Sequence, residues 1–259
     1  KPGKLSRPQL ALKKLKNGLI ENGFNEVLSY SLVPEDPKNK LIRISNPLLA
    51  ETSCLRGNIW EEHLKVINRN IKAGRPSCWI FEVGNIFNNN LEVLQEEIIN
   101  GVLYGRSKLE MWSESYKGNE LNYFEARGKL EEALGSLNIN IEDKQTDLID
   151  FLHPGRAAKL FIEGKEAGYF GEIHPKLILE KKALKKVYLF SIKISNLLGA
   201  STRKNKWIPI YKQYPIVPKM ERDINFIFNK KYLISQIKSE IRKTGKKLLE
   251  DVNLIDVFE

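Results

Sequence analysis

Cysteine is scarce: Cys54 and Cys78 are the only two in 259 residues, and neither belongs to a CxxC pair or has a histidine at ligand spacing. That excludes a zinc ribbon and a disulfide framework, and it suits a reducing compartment. No apolar run approaches the ~20 residues that would span a bilayer, so no membrane contact is expected. The first residues, Lys1-Pro2-Gly3-Lys4, offer neither an initiating Met nor the apolar stretch of a signal peptide, and they read as an internal cut through a longer protein. A glycine-rich phosphate loop behind a strand is missing as well, as are internal repeats and low-complexity segments.

What is present is ordinary globular material, 42% hydrophobic and 29% charged, long enough for one large domain or two modest ones. The net charge of +10 is uneven, because residues 203–259 hold 13 Lys/Arg against 7 Asp/Glu and leave +4 for the longer first part. Excess positive charge attracts polyanions such as tRNA by counterion release, and it equally describes a solvated basic surface. Charge alone leaves both readings open.

Apolar spacing at Leu12, Leu15 and Leu19 predicts a first helix stopped by Asn22-Gly23. Glu26 to Val33 alternates, with Leu28, Tyr30 and Leu32 on one half-buried face, and predicts a strand; Lys40 to Ser45 predicts another. A helix with Trp60, Leu64, Ile67 and Ile71 inward follows, ended by Gly74-Arg75-Pro76. Strands are predicted over Cys78 to Phe87 and Glu97 to Tyr104, joined by a turn through Asn88-Asn89-Asn90, then a helix over Phe124 to Leu137. Ala157 to Ile162 and Ala167 to Ile173 flank Glu163-Gly164-Lys165 as a hairpin, and Val187 to Ile194 is the last strand of the region. Antiparallel strands interleaved with helices predict an α+β fold in place of a doubly wound parallel sheet. The expected organisation is a module over 1–200, a linker over 201–213 and a segment over 214–259 reading strand (Asp223 to Phe228), helix (Leu233, Ile237, Ile241) and strand (Leu248 to Phe258).

Four segments in order resemble one family. They are Gly23-Phe24-Asn25-Glu26-Val27 with Tyr30-Ser31-Leu32-Val33; Asn46-Pro47-Leu48 through Ser53-Cys54-Leu55-Arg56 to Ile80-Phe81-Glu82-Val83-Gly84-Asn85-Ile86-Phe87; Leu152-His153-Pro154-Gly155-Arg156-Ala157-Ala158 with Gly168-Tyr169-Phe170-Gly171-Glu172-Ile173-His174-Pro175; and Tyr214-Pro215 to Glu221-Arg222-Asp223-Ile224, then Leu249 to Phe258. Together they are similar to the C-terminal part of the β subunit of bacterial-type phenylalanyl-tRNA synthetase. The resemblance implies a class II synthetase-like antiparallel sheet flanked by helices over 1–200, and over 214–259 the first half of a ferredoxin-like anticodon-binding domain. It implies a non-catalytic scaffold that holds tRNA(Phe) beside an α subunit in an α2β2 assembly. ATP and Mg2+ serve the whole enzyme, with none bound by this chain, and the family's editing and magnesium-binding domains lie upstream. The setting is the cytoplasm or an organelle stroma.

The residues can be asked whether this copy could activate an amino acid. Class II chemistry needs one Arg on the α-phosphate and a second beside a glycine-rich segment. If Gly84 to Phe87 is the motif 2 strand, the first Arg falls near Asn88, and an amide cannot supply the charge. Tyr188 to Leu198 stands where motif 3 would provide glycines and the second Arg, and it has Asn196. Glu82 survives at a motif 2 position, where a structural hydrogen-bond acceptor is preferred to a catalytic carboxylate. No catalytic residue and no metal ligand are therefore assigned.

Other candidates have competing readings. His153-Pro154 and His174-Pro175 are preferred as turns, since no nucleophile and orienting carboxylate can be placed beside them. Gly155-Arg156-Ala157 could receive an anion, on a poor signal. Lys181, Lys182, Lys185 and Lys186 read as a solvated helix face before an RNA contact, and Trp60, Trp79 and Trp112 as packing before base stacking. Lys219, Arg222, Lys230 and Lys231 flank the strand of the ferredoxin-like segment and are the candidate RNA contacts. The rival reading is a free-standing RNA-binding or regulatory paralogue, which would not co-purify with an α subunit.

Overall fold

The computed structural model describes residues 3–36, 41–88, 95–106, 119–179, 186–203, 207, 211, 213, 216–229 and 232–257. The chain forms two compact units, Lys1–Pro209 and Ile210–Glu259.

In the first unit, helix α1 (Arg7–Glu21) starts at a capping box between Ser6 and Gln9 with Pro8 in its first turn, and buries Ala11, Leu15 and Leu19. It stops at Asn22, and Gly23 takes the left-handed conformation (φ 89°) that the predicted stop requires. Helices α2 (Trp60–Lys72) and α3 (Tyr123–Gly135), and strands β5 (Cys78–Phe87) and β6 (Gln95–Tyr104), follow the predicted periodicities. Strands β8 (Leu152–Ile162) and β9 (Lys165–Ile173) close through Glu163 and Gly164, both at positive φ, as a two-residue hairpin demands. Helix α4 (Pro175–Leu179), strand β10 (Val187–Lys193) and helix α5 (Ile194–Ser201) complete the unit.

Some of its features depart from expectation. Strand β7 (Ile141–Gln145) carries Glu142, Asp143 and Lys144 and shows no alternation, because it is a solvated edge strand; Asp143 accepts a bidentate pair from Arg127 at 2.8 Å and 2.8 Å. The stretch from Glu26 to Val33 is not one strand. It splits into β1 (Asn25–Glu26) and β2 (Leu32–Val33), which enter different sheets, and the intervening Leu28 and Tyr30 are 92% and 84% exposed.

The main sheet has seven strands in the order β1-β5-β6-β10-β9-β8-β7, parallel at the β1–β5 edge and antiparallel elsewhere, which makes it mixed and the unit α+β. A small sheet, β2-β4-β3, uses β3 (Ile42–Arg43) and β4 (Cys54–Leu55). Because side chains alternate along a strand, β5, β6 and β10 divide their residues between two cores. One face sends Trp79, Phe81, Ile99, Leu103, Tyr188 and Phe190 against α1, α3 and α5. Close packing there leaves no room for a Cβ at Gly101, which would sit 2.2 Å from the Phe190 ring. The other face sends Ile80, Val102, Val187 and Leu189 toward α2, where Trp60 stacks on Phe151 with ring centroids 5.1 Å apart. Trp207, expected in the linker, packs against the first core with Arg7 and Lys14 near its ring, at 6.0 and 5.5 Å.

The second unit corrects a prediction. Helix α6 (Ile234–Gly245) forms, followed by a short 3-10 turn, but Asp223 to Phe228 and the described part of Leu248 to Phe258 make no ladder. Ile227 and Leu248 stand fully exposed. Two strands around one helix offer too little partner surface to bury such side chains, so the helix persists on local bonds and the strands do not form.

Candidate functional site

The α2 face of the sheet is apolar except for one row. Register places Glu82 of β5 opposite Asn100 of β6, Asn100 opposite Ser191 of β10, and Ser191 opposite Tyr169 of β9. Four polar side chains thus run side by side beneath α2. Glu82 is 1% exposed, and His63 of α2, which lies over it, is fully buried.

A buried carboxylate is tolerated only when its oxygens are bonded and its charge is met. Arg56, just beyond β4, donates from Nη1 to Glu82 Oε1 at 2.8 Å and to Ser29 Oγ at 2.9 Å, and from Nε to the Asn85 carbonyl at 2.9 Å. Ser29 serves the other oxygen twice, through its N–H at 3.1 Å and through a short bond from its hydroxyl. His63 Nε2 lies 3.4 Å from the same oxygen. Gly84 makes this possible, because a Cβ there would fall 2.4 Å from Arg56 Nη2.

The same cluster explains why Leu28 and Tyr30 face water. Ser29 must point inward to satisfy Glu82, and alternation turns its neighbours out. Exposing two large side chains forgoes about 1.5–3 kcal/mol each, whereas stranding an ionised carboxylate in the core costs several kcal/mol or more. The carboxylate decides the polarity of the segment.

Burial would raise the Glu82 carboxyl, but hydrogen bonds from His63, Ser29 and Arg56, with the charge of Arg56, bring it down to about 2. A group so acidic cannot donate a proton at neutral pH and is a feeble base, and both of its oxygens already accept hydrogen bonds. Farther along the row, burial pushes the Tyr169 phenol up to about 12, only partly offset by its hydrogen bond with Ser191. The row is a chain of buried acceptors and donors, with Glu82 as its main acceptor.

Arg56 is the guanidinium at the row, and it is buried with its donors on Glu82, Ser29 and Asn85. Asn88 stands at the end of β5, and Asn196 lies in α5 with its amide donating to the Glu166 carbonyl at 2.8 Å. Among the described residues no group of three or more His, Cys, Asp and Glu could hold a metal ion, and no helix is long and apolar enough to cross a membrane.

The remaining sequence candidates are dispersed. His153 lies inside β8, at a register break, not at a strand end; its Nδ1 accepts from Gly155 N–H at 3.1 Å. His174 does begin a turn, accepting from Lys176 N–H at 3.2 Å ahead of α4. Arg156 is committed to Glu172 at 2.8 Å. Lys219 is exposed and paired with Glu250 at 3.3 Å, and Arg222 is exposed on the stretch that forms no strand. Lys230, Lys231, Lys181, Lys182, Lys185 and Trp112 lie outside the described residues. Reasoning from sequence missed Arg56, His63, Asn100 and Ser191 as a unit. The available signal was a shared irregularity: Ile80-x-Glu82, Asn100-x-Val102 and Leu189-x-Ser191 each put one polar residue on an apolar face.

A seven-stranded, antiparallel-rich sheet with helices packed on both faces defines an α+β module. The chain belongs to the family described as the phenylalanyl tRNA synthetase beta chain CLM domain, whose model matches residues 1–194. Over all of its length it is 73% identical to the phenylalanine–tRNA ligase beta subunit of Prochlorococcus marinus strain MIT 9312, covering 32% of that protein. The corresponding subunit of strain CCMP1986 is 69% identical over the same span, covering 31%, and that of Parasynechococcus marenigrum 40%, covering 32%. The chain therefore spans about a third of the length of these relatives.

Proposed function

We propose that the chain is a non-catalytic scaffold within the β subunit of a phenylalanine–tRNA ligase, and that phenylalanine activation and transfer to tRNA(Phe) take place on an α subunit in an α2β2 assembly. In this reading residues 1–200 are a class II synthetase-like module in the C-terminal part of the subunit, 201–213 a linker, and 214–259 the opening of a ferredoxin-like anticodon-binding domain. One observation carries it: the positions where the resemblance puts the nucleotide-gripping arginines hold Asn88 and Asn196, and the guanidinium of the polar row, Arg56, is spent on Glu82. This chain holds neither ATP nor Mg2+, which bind elsewhere in the enzyme. Lys219, Arg222, Lys230 and Lys231 contribute phosphate contacts to tRNA. The enzyme works in the cytoplasm or an organelle stroma.

The test is ATP–pyrophosphate exchange driven by phenylalanine, assayed with the chain alone and after co-expression of the subunit with its α partner. Exchange by the assembled enzyme and none by the chain is the expected result; exchange by the chain alone, or failure of the subunit to capture an α partner, overturns the reading. Reversing the charge at the four basic positions is expected to weaken tRNA binding and flatten its salt dependence. Unchanged affinity would remove their assignment.

A further inference from the structure

The side-chain amide of Asn100 can be placed with either end toward His63, and its other neighbours decide which. With the oxygen toward His63, that oxygen also accepts from Gly101 N–H at 3.2 Å while the amide nitrogen donates to the Phe190 carbonyl at 3.3 Å. The reverse orientation sets oxygen against oxygen and N–H against N–H at both backbone contacts. These partners are fixed parts of β6 and β10, so they hold the amide oxygen on His63. His63 Nδ1, 3.0 Å away, must then be a donor.

A consequence follows at the opposite edge of the ring. Nε2 faces Glu82 Oε2 at 3.4 Å, and that carboxylate stays ionised to about pH 2. A ring protonated on Nδ1 alone would aim a lone pair at a negative oxygen with no water to intervene, because both side chains are buried. We propose that His63 carries a proton on each ring nitrogen in the native fold, donating to Asn100 and to Glu82 at once, and that these two bonds clamp α2 to the sheet. Arg56 opposes the second charge, but it bonds Oε1 whereas Nε2 addresses Oε2. The charged groups facing the ring among the described residues are thus Glu82 from β5 and, across that carboxylate, Arg56; β6 presents the neutral Asn100, whose far side rests on the β10 backbone.

The chain has three histidines, which makes the state directly readable by nitrogen NMR of the full chain labelled at histidine. His153 and His174 each accept a backbone hydrogen bond at Nδ1 and supply internal references for a bare ring nitrogen. Their signals are assigned by H153Q and H174Q. Two protonated nitrogens at His63 while the references show one each is the expected result, and a bare nitrogen at His63 in the folded wild-type chain overturns the proposal. In N100L, should it fold, one His63 nitrogen loses its proton.

Discussion

The two faces of the seven-stranded sheet are built on opposite principles. The face against α1, α3 and α5 is held by shape, as where Phe190 occupies the space left by Gly101. The face under α2 keeps a similar apolar frame but is interrupted by Glu82, Asn100, Ser191 and Tyr169, aligned by register across four strands. Volume governs the first face, and charge governs the second. The difference teaches that a buried carboxylate can set the polarity of a whole sheet face, here by drawing Ser29 and Arg56 onto its two oxygens.

The comparison can be broken by paired substitutions. Phe190→Ala removes a buried ring and is expected to cost about 3–5 kcal/mol in denaturant unfolding, with little dependence on pH. Glu82→Gln is expected to cost a similar ~3–5 kcal/mol at neutral pH, because it leaves Arg56 buried without a counterion. Its cost must shrink in acid. The Glu82 carboxyl is depressed from 4.5 to about 2, so its contribution is complete above 4.5 and is lost as pH falls through that interval, on the order of 3 kcal/mol in all. Equal acid profiles for Glu82→Gln and Phe190→Ala would erase the distinction between the faces. Gly84→Ala, which forces the Arg56 guanidinium off Glu82, is expected to cost about 1–3 kcal/mol. The smallest effect is reserved for Leu28→Ser and Tyr30→Ser, whose side chains face water; each should change stability by less than about 0.5 kcal/mol. A large loss there would mean that the segment is packed inward after all.

How far the sequence could be read follows the same division. Local signals were sufficient where the determinants are local: the Asn22-Gly23 stop of α1, the Glu163-Gly164 hairpin and the alternating β5 are where the pattern puts them. Strand β7 hid because an edge strand needs no apolar face, and Glu26 to Val33 misled because it is two short strands whose connection turns Leu28 and Tyr30 outward around Ser29. No local rule could reveal that outward turn, since Ser29 answers to Glu82, fifty-three residues away. The site was half legible. Glu82 could be read as an acceptor, but Arg56, His63 and Asn100 come from separate elements, and their convergence is a property of strand register. In the second unit the helix was readable from its own period, whereas the flanking strands depend on partners that no window of sequence supplies.

The most direct test places Glu82→Gln in the proposed ligase assembly with an α subunit and measures unfolding midpoint and phenylalanine activation on the same preparation. A midpoint lowered by several degrees, with kcat/KM unchanged at temperatures where the fold persists, is the predicted result. Activation abolished with the midpoint intact would contradict the account, for it would mean that the buried carboxylate serves the reaction and not the fold.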